Sequence, residues 1–363
     1  MVADRPVTFL LGRRDEPTDG VEDYSIHLGR ALEERGVPFS LHRIPWSTVG
    51  WVRALLWVLR QAHQWKHTWV LVQYTALAWS KQGFPVAFPL VVLTLRLRGC
   101  RCAVVFHDPS GFPGTRFRDG ARRAAQMASM KAASFLAHRS IVTIPLDRLS
   151  WRPARAAFVP VGANLPLIEA GRPARDGVLT VVVYGVTGGE RTNKEVEDIA
   201  FAVDRAVARL AAEGKRVRLR VLGRGAIEAE PLLRVTAPNV ELDLHGVLPA
   251  PKVAGLLATS TVQLFVRGGI SSRRGSAIAG IACRLPVVGF SGPETASPVT
   301  DAGVVLVDEG DRESVADSLA RVLQDETLRQ DLSARSQRAY ELWFSWDAIA
   351  GRILSVLNNN PDG

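Results

Sequence analysis

The strongest chemical signal in the chain is a cationic turn that precedes a helix of small residues. The turn consists of Arg273, Arg274, Gly275 and Ser276. Apolar, β-rich runs flank it at Val262–Val266 and Leu285–Phe290, which predicts strand, loop, helix and strand. We expect Ser276 to cap this helix. Free N–H groups, a glycine that permits close approach and two guanidinium groups suit phosphate, whereas the alternative is a solvated basic turn.

A second cationic loop follows the predicted strand Leu179–Tyr184. It contains the paired glycines Gly188 and Gly189 and the cations Arg191 and Lys194. Ligands of open α/β sheets bind at the carboxyl ends of the strands. We therefore expect this loop and the turn at 273–276 to converge on one site. Two such loops together suit a diphosphate better than either does alone.

Two features of the first half could also contact a ligand. His107 and Asp108 follow the predicted strand Cys102–Phe106, and a histidine at a strand's carboxyl end is placed for ligand contact or proton transfer. The alternative for His107 is a purely structural role. The turn at Asp19 and Gly20 would bring bare backbone and a helix N-terminus to the same edge, unless it simply caps the helix.

Positive charge is concentrated in the first half of the chain. The net charge of +9 divides into +10 for residues 1–170 and −1 for residues 171–363, and no acidic residue lies between Glu34 and Asp108. The first half also contains tryptophans at Trp46, Trp51, Trp57, Trp65, Trp69 and Trp79. This combination is typical of proteins that contact an anionic membrane surface or an anionic acceptor. An ordinary basic domain with core tryptophans is the alternative.

Several classes of protein are excluded by what the sequence contains. The longest apolar stretches lie around residues 51–101, where the uncharged runs 68–80 and 82–95 are shorter than the roughly 20 residues of a spanning helix, so we expect no integral membrane protein. The three cysteines are too few for a disulfide framework and fit core positions in a reducing cytoplasm. The sequence has neither a metal-ligand cluster nor a Walker loop nor a nucleic-acid-binding module, so we expect no metal, no cofactor and no nucleic-acid partner.

The order of predicted elements is β-α-β-α throughout, which indicates parallel sheets. Strands are predicted at Val7–Leu11, Trp69–Gln73, Cys102–Phe106, Ile141–Ile144, Leu179–Tyr184, Val217–Leu222, Val240–Leu244, Val262–Val266 and Pro286–Gly289. Helices are predicted at Gly20–Arg35, Lys194–Ala212, Ala250–Ala258, Arg312–Gln324 and Glu326–Leu342. A linker rich in proline, glycine and charge at Asn164–Gly177 separates two such series. Two α/β domains would place a cleft between the carboxyl ends of their strands.

Taken together, these segments resemble the retaining glycosyltransferases of family 4. The resemblance covers nearly the whole chain and is carried by DGVEDYSIHLGRALEERG, VVFHDPSGF, FVPVGANLP, GVVLVDEGDRESVADSLARVLQDETLRQDLS and FSWDAIAGRIL, in that order. It implies the GT-B fold, with two Rossmann-like domains that face each other across a cleft. The implied domains are an acceptor domain at 1–168 and a donor domain at 173–342, and helix 343–359 is expected to pack back on the first.

The resemblance also implies roles for individual residues. Lys194 matches the family's diphosphate-binding lysine, and Arg191 is a candidate substitute for an arginine that falls near Gly188 and Gly189. The family's donor loop carries two glutamates, one for sugar hydroxyls and one for the ribose, at positions held here by Ser271 and Ala279. We expect the loop from Ser271 to Ser276 to bind the diphosphate instead. Gly20 and Asp108 are assigned to the acceptor side, and His107 is expected to contact the donor sugar or the acceptor.

The sequence therefore predicts a retaining, metal-independent glycosyltransferase. It would move a sugar from a nucleoside-diphosphate sugar to a glycan or lipid-linked acceptor in cell-surface polysaccharide or glycoconjugate assembly. We expect a cytoplasmic protein, peripheral on the inner face of the plasma membrane. Because both glutamates are absent, the alternative is a non-catalytic GT-B protein that binds a nucleotide or glycan as the partner of an active transferase.

Overall fold

The chain forms two compact α/β units. The computed structural model describes residues 6–14, 19–114, 116–166, 177–186, 190–210, 214–237 and 240–359, without the side chains of 190–192 and 236. The first unit comprises Met1–Val161 and Trp346–Gly363, and the second comprises Gly162–Ser345. Most of the predicted linker at Asn164–Gly177 lies outside the described residues.

Each unit contains a six-stranded parallel sheet. The strands of the first unit are β1 (Val7–Leu11), β2 (Phe39–Arg43), β3 (Trp69–Tyr74), β4 (Arg101–Phe106), β5 (Arg139–Val142) and β6 (Ala156–Phe158). Those of the second are β7 (Val178–Tyr184), β8 (Arg216–Leu222), β9 (Glu241–His245), β10 (Val262–Phe265), β11 (Val287–Phe290) and β12 (Val304–Val307). The spatial orders are β2-β1-β3-β4-β5-β6 and β12-β11-β10-β7-β8-β9.

Helices cover both faces of each sheet. The helices of the first unit are α1 (Gly20–Glu34), α2 (Trp46–Val49), α3 (Trp51–Gln64), α4 (Ala76–Trp79), α5 (Phe88–Leu97), α6 (Phe117–Leu136) and α13 (Trp346–Asn358). Those of the second are α7 (Glu190–Leu210), α8 (Glu230–Thr236), α9 (Ala250–Ala258), α10 (Gly275–Ala282), α11 (Arg312–Gln324) and α12 (Glu326–Ala339). The predicted α/β fold with two parallel sheets is confirmed.

Different helices cover the two faces of the first sheet. On one face α1 and α13 pack on β1, and the shared core includes Phe9, Leu28 and Ile353. On the other face α3, α5 and α6 pack on β3 and β4. The last helix thus completes the core of the unit that contains the start of the chain. An ion pair of 2.8 Å between Arg35 and Asp347 joins it to the end of α1.

The tryptophans of the first half belong to its core. Trp46, Trp65 and Trp79 are buried in the core that α3, α5 and α6 cover, and Trp51 and Trp57 are half-buried against it. Trp69 is buried in the core on the opposite face of the sheet. Of the two interpretations of these tryptophans, core residues and a membrane contact, the structure supports core residues for the rings themselves. Helices that cover a sheet require apolar side chains on their sheet-facing side, and Trp46 on α2 and Trp79 on α4 fill that role.

One predicted helix changes its winding near its end. The segment predicted as a helix over Glu326–Leu342 is α-helical to Ala339 and continues as a π-helical turn, Tyr340–Phe344. The N–H of Ser345 donates to the carbonyl of Tyr340, five residues earlier, at 2.8 Å. This wider turn immediately precedes α13.

Candidate functional sites of the two units

The second sheet reverses its strand order between β7 and β10, which are parallel neighbours. Ligands of doubly wound sheets bind at such a switch point, outside the carboxyl ends of the strands. The segments that follow these two strands contact each other here. A Cβ added to Gly185, which has φ of +100°, would lie 3.2 Å from Cβ of Ser276. The structure therefore brings the first residues after β7 onto the first turn of α10.

A cation not singled out in the sequence lies at the same switch point. Arg267 follows β10, is exposed, and donates from Nη1 to the carbonyl of Gly185 at 3.1 Å. Burial raises the pKa of Glu195 in the first turns of α7, and the charge of Arg267 opposes that rise. Arg267 therefore links the segments after β7 and β10 and holds positive charge at the edge of the sheet.

The prediction that Ser276 caps α10 is wrong. The helix begins at Gly275, and its N-cap is Arg274, which makes no side-chain cap bond. A turn in which the N–H of Arg274 donates to the carbonyl of Ser271 at 3.0 Å starts the helix early. Ser276 lies instead within the first turn, where its carbonyl accepts from the buried Gln263 at 2.9 Å. Gln263 thus fixes the N-terminal turn of α10 to β10.

Arg273 is engaged by a carboxylate from a different loop. Its Nε donates to Oε2 of Glu294 at 2.7 Å, and its Nη2 donates to Oε1 at 3.1 Å. Both side chains are 18% exposed. The hydroxyl of Ser271, which is buried, donates to the same Oε2 at 3.3 Å. Glu294 therefore lies directly against the loop that was predicted to bind the diphosphate.

The loops after β10 and β11 are fastened together at several points. The N–H of Ile270 donates to the carbonyl of Phe290 at 2.9 Å. The Thr295 hydroxyl donates to the carbonyl of Ile270 at 2.6 Å. A Cβ added to Gly269 would lie only 2.6 Å from Cα of Gly292, so the two backbones touch where neither residue has a side chain. The ion pair between Arg273 and Glu294 is a further contact between these two loops.

The remaining predicted donor residues are placed as follows. Gly188 and Gly189 lie outside the described residues, as does the side chain of Arg191. Lys194 is exposed near the start of α7, and Arg274 is half-buried at the N-cap of α10. The binding roles proposed for these residues stay predictions.

In the first unit, Asp19 caps α1 as the sequence indicates. Its Oδ1 accepts from the N–H groups of Val21 and Glu22, both at 3.1 Å. Arg43 on β2 donates to the carbonyl of Gly12 at 2.9 Å and to Oδ2 of Asp19 at 3.4 Å. The carboxyl end of β1 and the start of α1 are thus joined by one guanidinium group. Gly20, the first residue of α1, is exposed.

His107 lies at the carboxyl end of β4 beside a buried glutamine. Its Nε2 is 2.8 Å from Oε1 of Gln73, at the neighbouring end of β3. An amide oxygen can only accept, so Nε2 carries the proton and Nδ1 is left as the acceptor nitrogen of a neutral ring. Burial lowers the pKa of His107 to about 4, against the smaller opposing effect of Asp19. The edge-on ring of Tyr24, with centroids 4.8 Å apart, covers the imidazole.

This geometry makes His107 a hydrogen-bond acceptor rather than a cation near neutral pH. A proton on Nδ1 would require a charged imidazolium among desolvating side chains, which costs free energy. Asp108, the next residue, is exposed. Buried polar atoms without a hydrogen-bond partner among the described residues include Nε2 of Gln73 and the hydroxyl of Tyr24. The end of β4 thus combines the acceptor nitrogen of His107 with buried polar atoms that have no hydrogen-bond partner among the described residues.

Sequence reasoning missed three residues of these sites. Gln73 could have been noticed, because it is a polar residue at the end of an otherwise apolar strand. Arg267 could also have been noticed, because it follows β10 directly before two glycines. Glu294 gave no local signal, since its position beside Ser271 depends on how the loops after β10 and β11 pack together.

Metal-binding clusters and membrane-spanning helices are both absent from the described residues. No group of three or more His, Cys, Asp or Glu side chains in this part of the chain could hold a metal ion. None of the helices among the same residues is long and apolar enough to cross a membrane.

Comparisons with known proteins found similarity in structure but not in sequence. No protein-family model matches the chain, and no curated protein matches it. Sucrose-phosphate synthase from Thermosynechococcus elongatus superposes with a TM-score of 0.67 at 18% identity, over 97% of this chain and 98% of that one. WaaG, a glycosyltransferase involved in lipopolysaccharide biosynthesis, gives 0.63 at 14% identity, over 98% and 100% of the two chains.

A third structure holds ligands. HepE from Anabaena, in complex with UDP and glucose, gives a TM-score of 0.63 at 12% identity over 98% of this chain and 99% of that one. Identities this low establish the fold alone. The agreement over the full length of each chain shows that this protein has the GT-B fold of these structures.

Proposed function

We propose that the protein is a retaining glycosyltransferase that uses a nucleoside-diphosphate sugar. The observation that carries this proposal is the contact between Gly185 and the first turn of α10 at the switch point of the second sheet. Bare backbone, a helix N-terminus and the cation of Arg267 meet there, a combination that suits a diphosphate. The complex of HepE with UDP and glucose supports a nucleotide-sugar donor for this fold.

In this proposal the protein's own cations stabilise the leaving diphosphate. Lys194 is exposed near the start of α7, and Arg267 is exposed in the loop after β10. Arg191 and Arg274 are further candidates. Electrostatic stabilisation of charge that develops in the transition state is commonly the largest catalytic contribution. A front-face route, in which the acceptor attacks from the side that the diphosphate leaves, would retain the anomeric configuration. The cations replace a metal ion in this scheme.

His107 would act through its acceptor nitrogen. A neutral imidazole whose Nε2–H is held by Gln73 presents Nδ1 to a donor hydroxyl of a bound sugar or acceptor. This role positions a hydroxyl and needs no change of charge on the ring. The low pKa of His107 supports it, because the ring stays neutral through the physiological range.

We propose that the acceptor belongs to cell-surface glycan assembly and is presented at an anionic membrane. The outer side of α3 exposes Val52 and Leu56 at 77% and 50%, together with the cations Arg53 and Arg60. On α5, Leu97 is 77% exposed and is flanked by exposed arginines. Apolar and cationic side chains on one helix surface, without acidic residues in the segment, favour an anionic lipid interface. The involvement of WaaG in lipopolysaccharide biosynthesis agrees with such an acceptor.

A second candidate function is a non-catalytic GT-B protein that binds a nucleotide or glycan. The absence of carboxylates at Ser271 and Ala279 favours it. The two functions separate in one set of measurements on the purified protein. Thermal shift with UDP, GDP and ADP and with their sugar esters identifies the nucleotide, since a ligand at 100 times its Kd stabilises by about 2.7 kcal/mol. Donor hydrolysis or sugar transfer then supports the transferase, whereas binding without turnover supports the second candidate.

A further inference from the structure

The donor loop of the second unit has no carboxylate of its own. Its side chains between positions 271 and 274 are two serines and two arginines, and a guanidinium group can only donate. Sugar hydroxyls are recognised most strongly when an ionised acceptor receives their hydrogen bonds. If this loop faces the sugar of a nucleotide sugar, an ionised acceptor must come from another element.

Glu294 is a carboxylate that reaches this loop from the loop after β11. Its Oε2 lies 3.3 Å from the hydroxyl of Ser271, so the carboxylate occupies the space that a longer acidic side chain at 271 would enter. The two hydrogen bonds from Arg273 fix the plane of the carboxylate. The bond between Thr295 and the carbonyl of Ile270, one residue further along, fixes the loop itself.

We infer that Glu294 is the residue that binds the sugar hydroxyls of the donor, with Arg273 as its positioning residue. This inference rests on the proposed function. A sugar hydroxyl would replace the long hydrogen bond from Ser271 on Oε2, while the fork from Arg273 keeps the carboxylate in place. Arg273 thereby serves the sugar site through Glu294, and the diphosphate is bound by Lys194, Arg267 and the first turn of α10.

In this inference Glu294 contributes to binding of the sugar but not to binding of the nucleotide. Removing a hydrogen bond between a binding site and a substrate hydroxyl lowers the affinity far more than removing an apolar contact does. Replacing the carboxylate of Glu294 by an amide should therefore weaken the sugar nucleotide and leave the bare nucleotide unaffected. A residue that only fastened the two loops would change both affinities together.

The test uses the full chain and calorimetry with UDP and UDP-glucose, GDP and GDP-mannose, or ADP and ADP-glucose. The pair that gives the largest thermal shift with the wild-type protein is used throughout. Glu294→Gln should lower affinity for the sugar nucleotide at least tenfold and change affinity for the nucleotide less than twofold. The matched control is Glu241→Gln, which breaks the 2.7 Å ion pair with Arg218 at the amino end of β9. It should change neither affinity.

A relocation variant keeps the inference testable if Glu294→Gln fails to fold. Combining Ser271→Glu with Glu294→Gln returns a carboxylate to the same place from the other loop, and it should restore both melting temperature and sugar-nucleotide affinity. If Glu294→Gln lowers the affinity for nucleotide and sugar nucleotide equally, or lowers neither, the inference is wrong. Glu294 would then only hold the loops after β10 and β11 together. If no nucleotide and no sugar nucleotide stabilises the wild-type protein, the proposed function itself is wrong, and the inference falls with it.

Discussion

The Nε2 atom of His107 and the side-chain oxygen of Gln73 lie 2.8 Å apart at the adjoining ends of two parallel strands. Gln73 is 1% exposed, so this hydrogen bond forms in a desolvated setting where an unpaired group would be costly. The amide holds the proton on Nε2 and leaves Nδ1 as the acceptor nitrogen of the neutral ring. The pair therefore sets the chemistry that His107 can perform.

The first prediction follows from the pKa of His107, which burial lowers from 6.5 to about 4. Between these values the unfolded chain binds a proton that the folded chain does not, so stability should fall as the pH decreases from about 6.5 to about 4. The contribution of one such group is at most about 1.4 kcal/mol per pH unit. Urea unfolding of wild type and His107→Gln should show a steeper decrease for wild type in this range. Equal slopes would mean that the ring titrates normally.

The second prediction concerns Gln73. Gln73→Leu removes the acceptor for the ring proton of His107 and should destabilise the protein by about 1–3 kcal/mol. Gln73→Glu places a carboxylate there and should raise the pKa of His107, because a neighbouring negative charge favours the imidazolium. NMR titration of the histidine resonances measures this change, with His63→Gln on the exposed side of α3 as an assignment control. A pKa that does not move in Gln73→Glu would refute the hydrogen bond.

The third prediction concerns Arg267. Arg267→Ala should weaken nucleoside-diphosphate binding by roughly 1.5–3 kcal/mol, the usual cost of a lost hydrogen bond to a charged group. Arg267→Lys should recover part of this loss, because it restores charge without the guanidinium fork. Lys252→Ala, which removes an exposed cation on α9, is the matched control and should bind like wild type. Calorimetry decides, and unchanged affinity in Arg267→Ala would remove this residue from the diphosphate site.

The fourth prediction concerns the outer side of α3. Val52→Gln combined with Leu56→Gln should reduce binding to liposomes that contain anionic lipid, since about 25 cal/mol of favourable free energy is lost per Å² of apolar area left in water. Raising the salt should release the wild-type protein, because charges are screened over about 10 Å at 0.1 M. The control is Val235→Gln on α8, an apolar side chain that is 80% exposed in the second unit. Cosedimentation that is equal for all three proteins would exclude this helix from a lipid contact.

The fifth prediction tests the glycine contact between the loops after β10 and β11. Gly269→Ala would place a methyl group 2.6 Å from Cα of Gly292, so the loops must separate. We expect a loss of about 1–3 kcal/mol in stability, as for other overpacked sites. Gly246→Ala meets no atom within 4 Å and is the control. Thermal unfolding of both variants measures the difference, and an equal melting temperature would show that the contact tolerates a side chain.

The central strands could be predicted from the sequence because they are buried on both faces. β3 and β4 read as continuous apolar runs, which is the pattern of a parallel sheet covered by helices. The edge strands β2 and β6 could not be predicted. All their residues are half-buried, so water on one side permits polar residues and removes the apolar run that reveals a strand. The segments 51–64 and 88–97 of the first unit also gave no clear helical boundary in the sequence.

Site residues could be predicted from the sequence where their role depends on local features of the chain, and not where it depends on packing. Asp19 and His107 were recognisable because a cap and a strand end are local features of the chain. The roles of Arg273 and Glu294 were not recognisable, since these residues are 21 positions apart and are separated by a helix and a strand whose packing determines the contact. The cap predicted at Ser276 failed for a related reason: the turn from Ser271 to Arg274 starts the helix before that serine.

The position of α13 in the first unit has a consequence for biosynthesis. Ile349, Ile353 and Leu357 complete a cluster with Val7 and Phe9, yet the whole second unit lies between these two segments in the chain. During translation one face of β1 and α1 therefore stays uncovered until the second unit has been made in full. The nascent chain carries an apolar surface throughout that interval, and such surfaces are prone to aggregation, so the first unit is completed only after α13 has been synthesised.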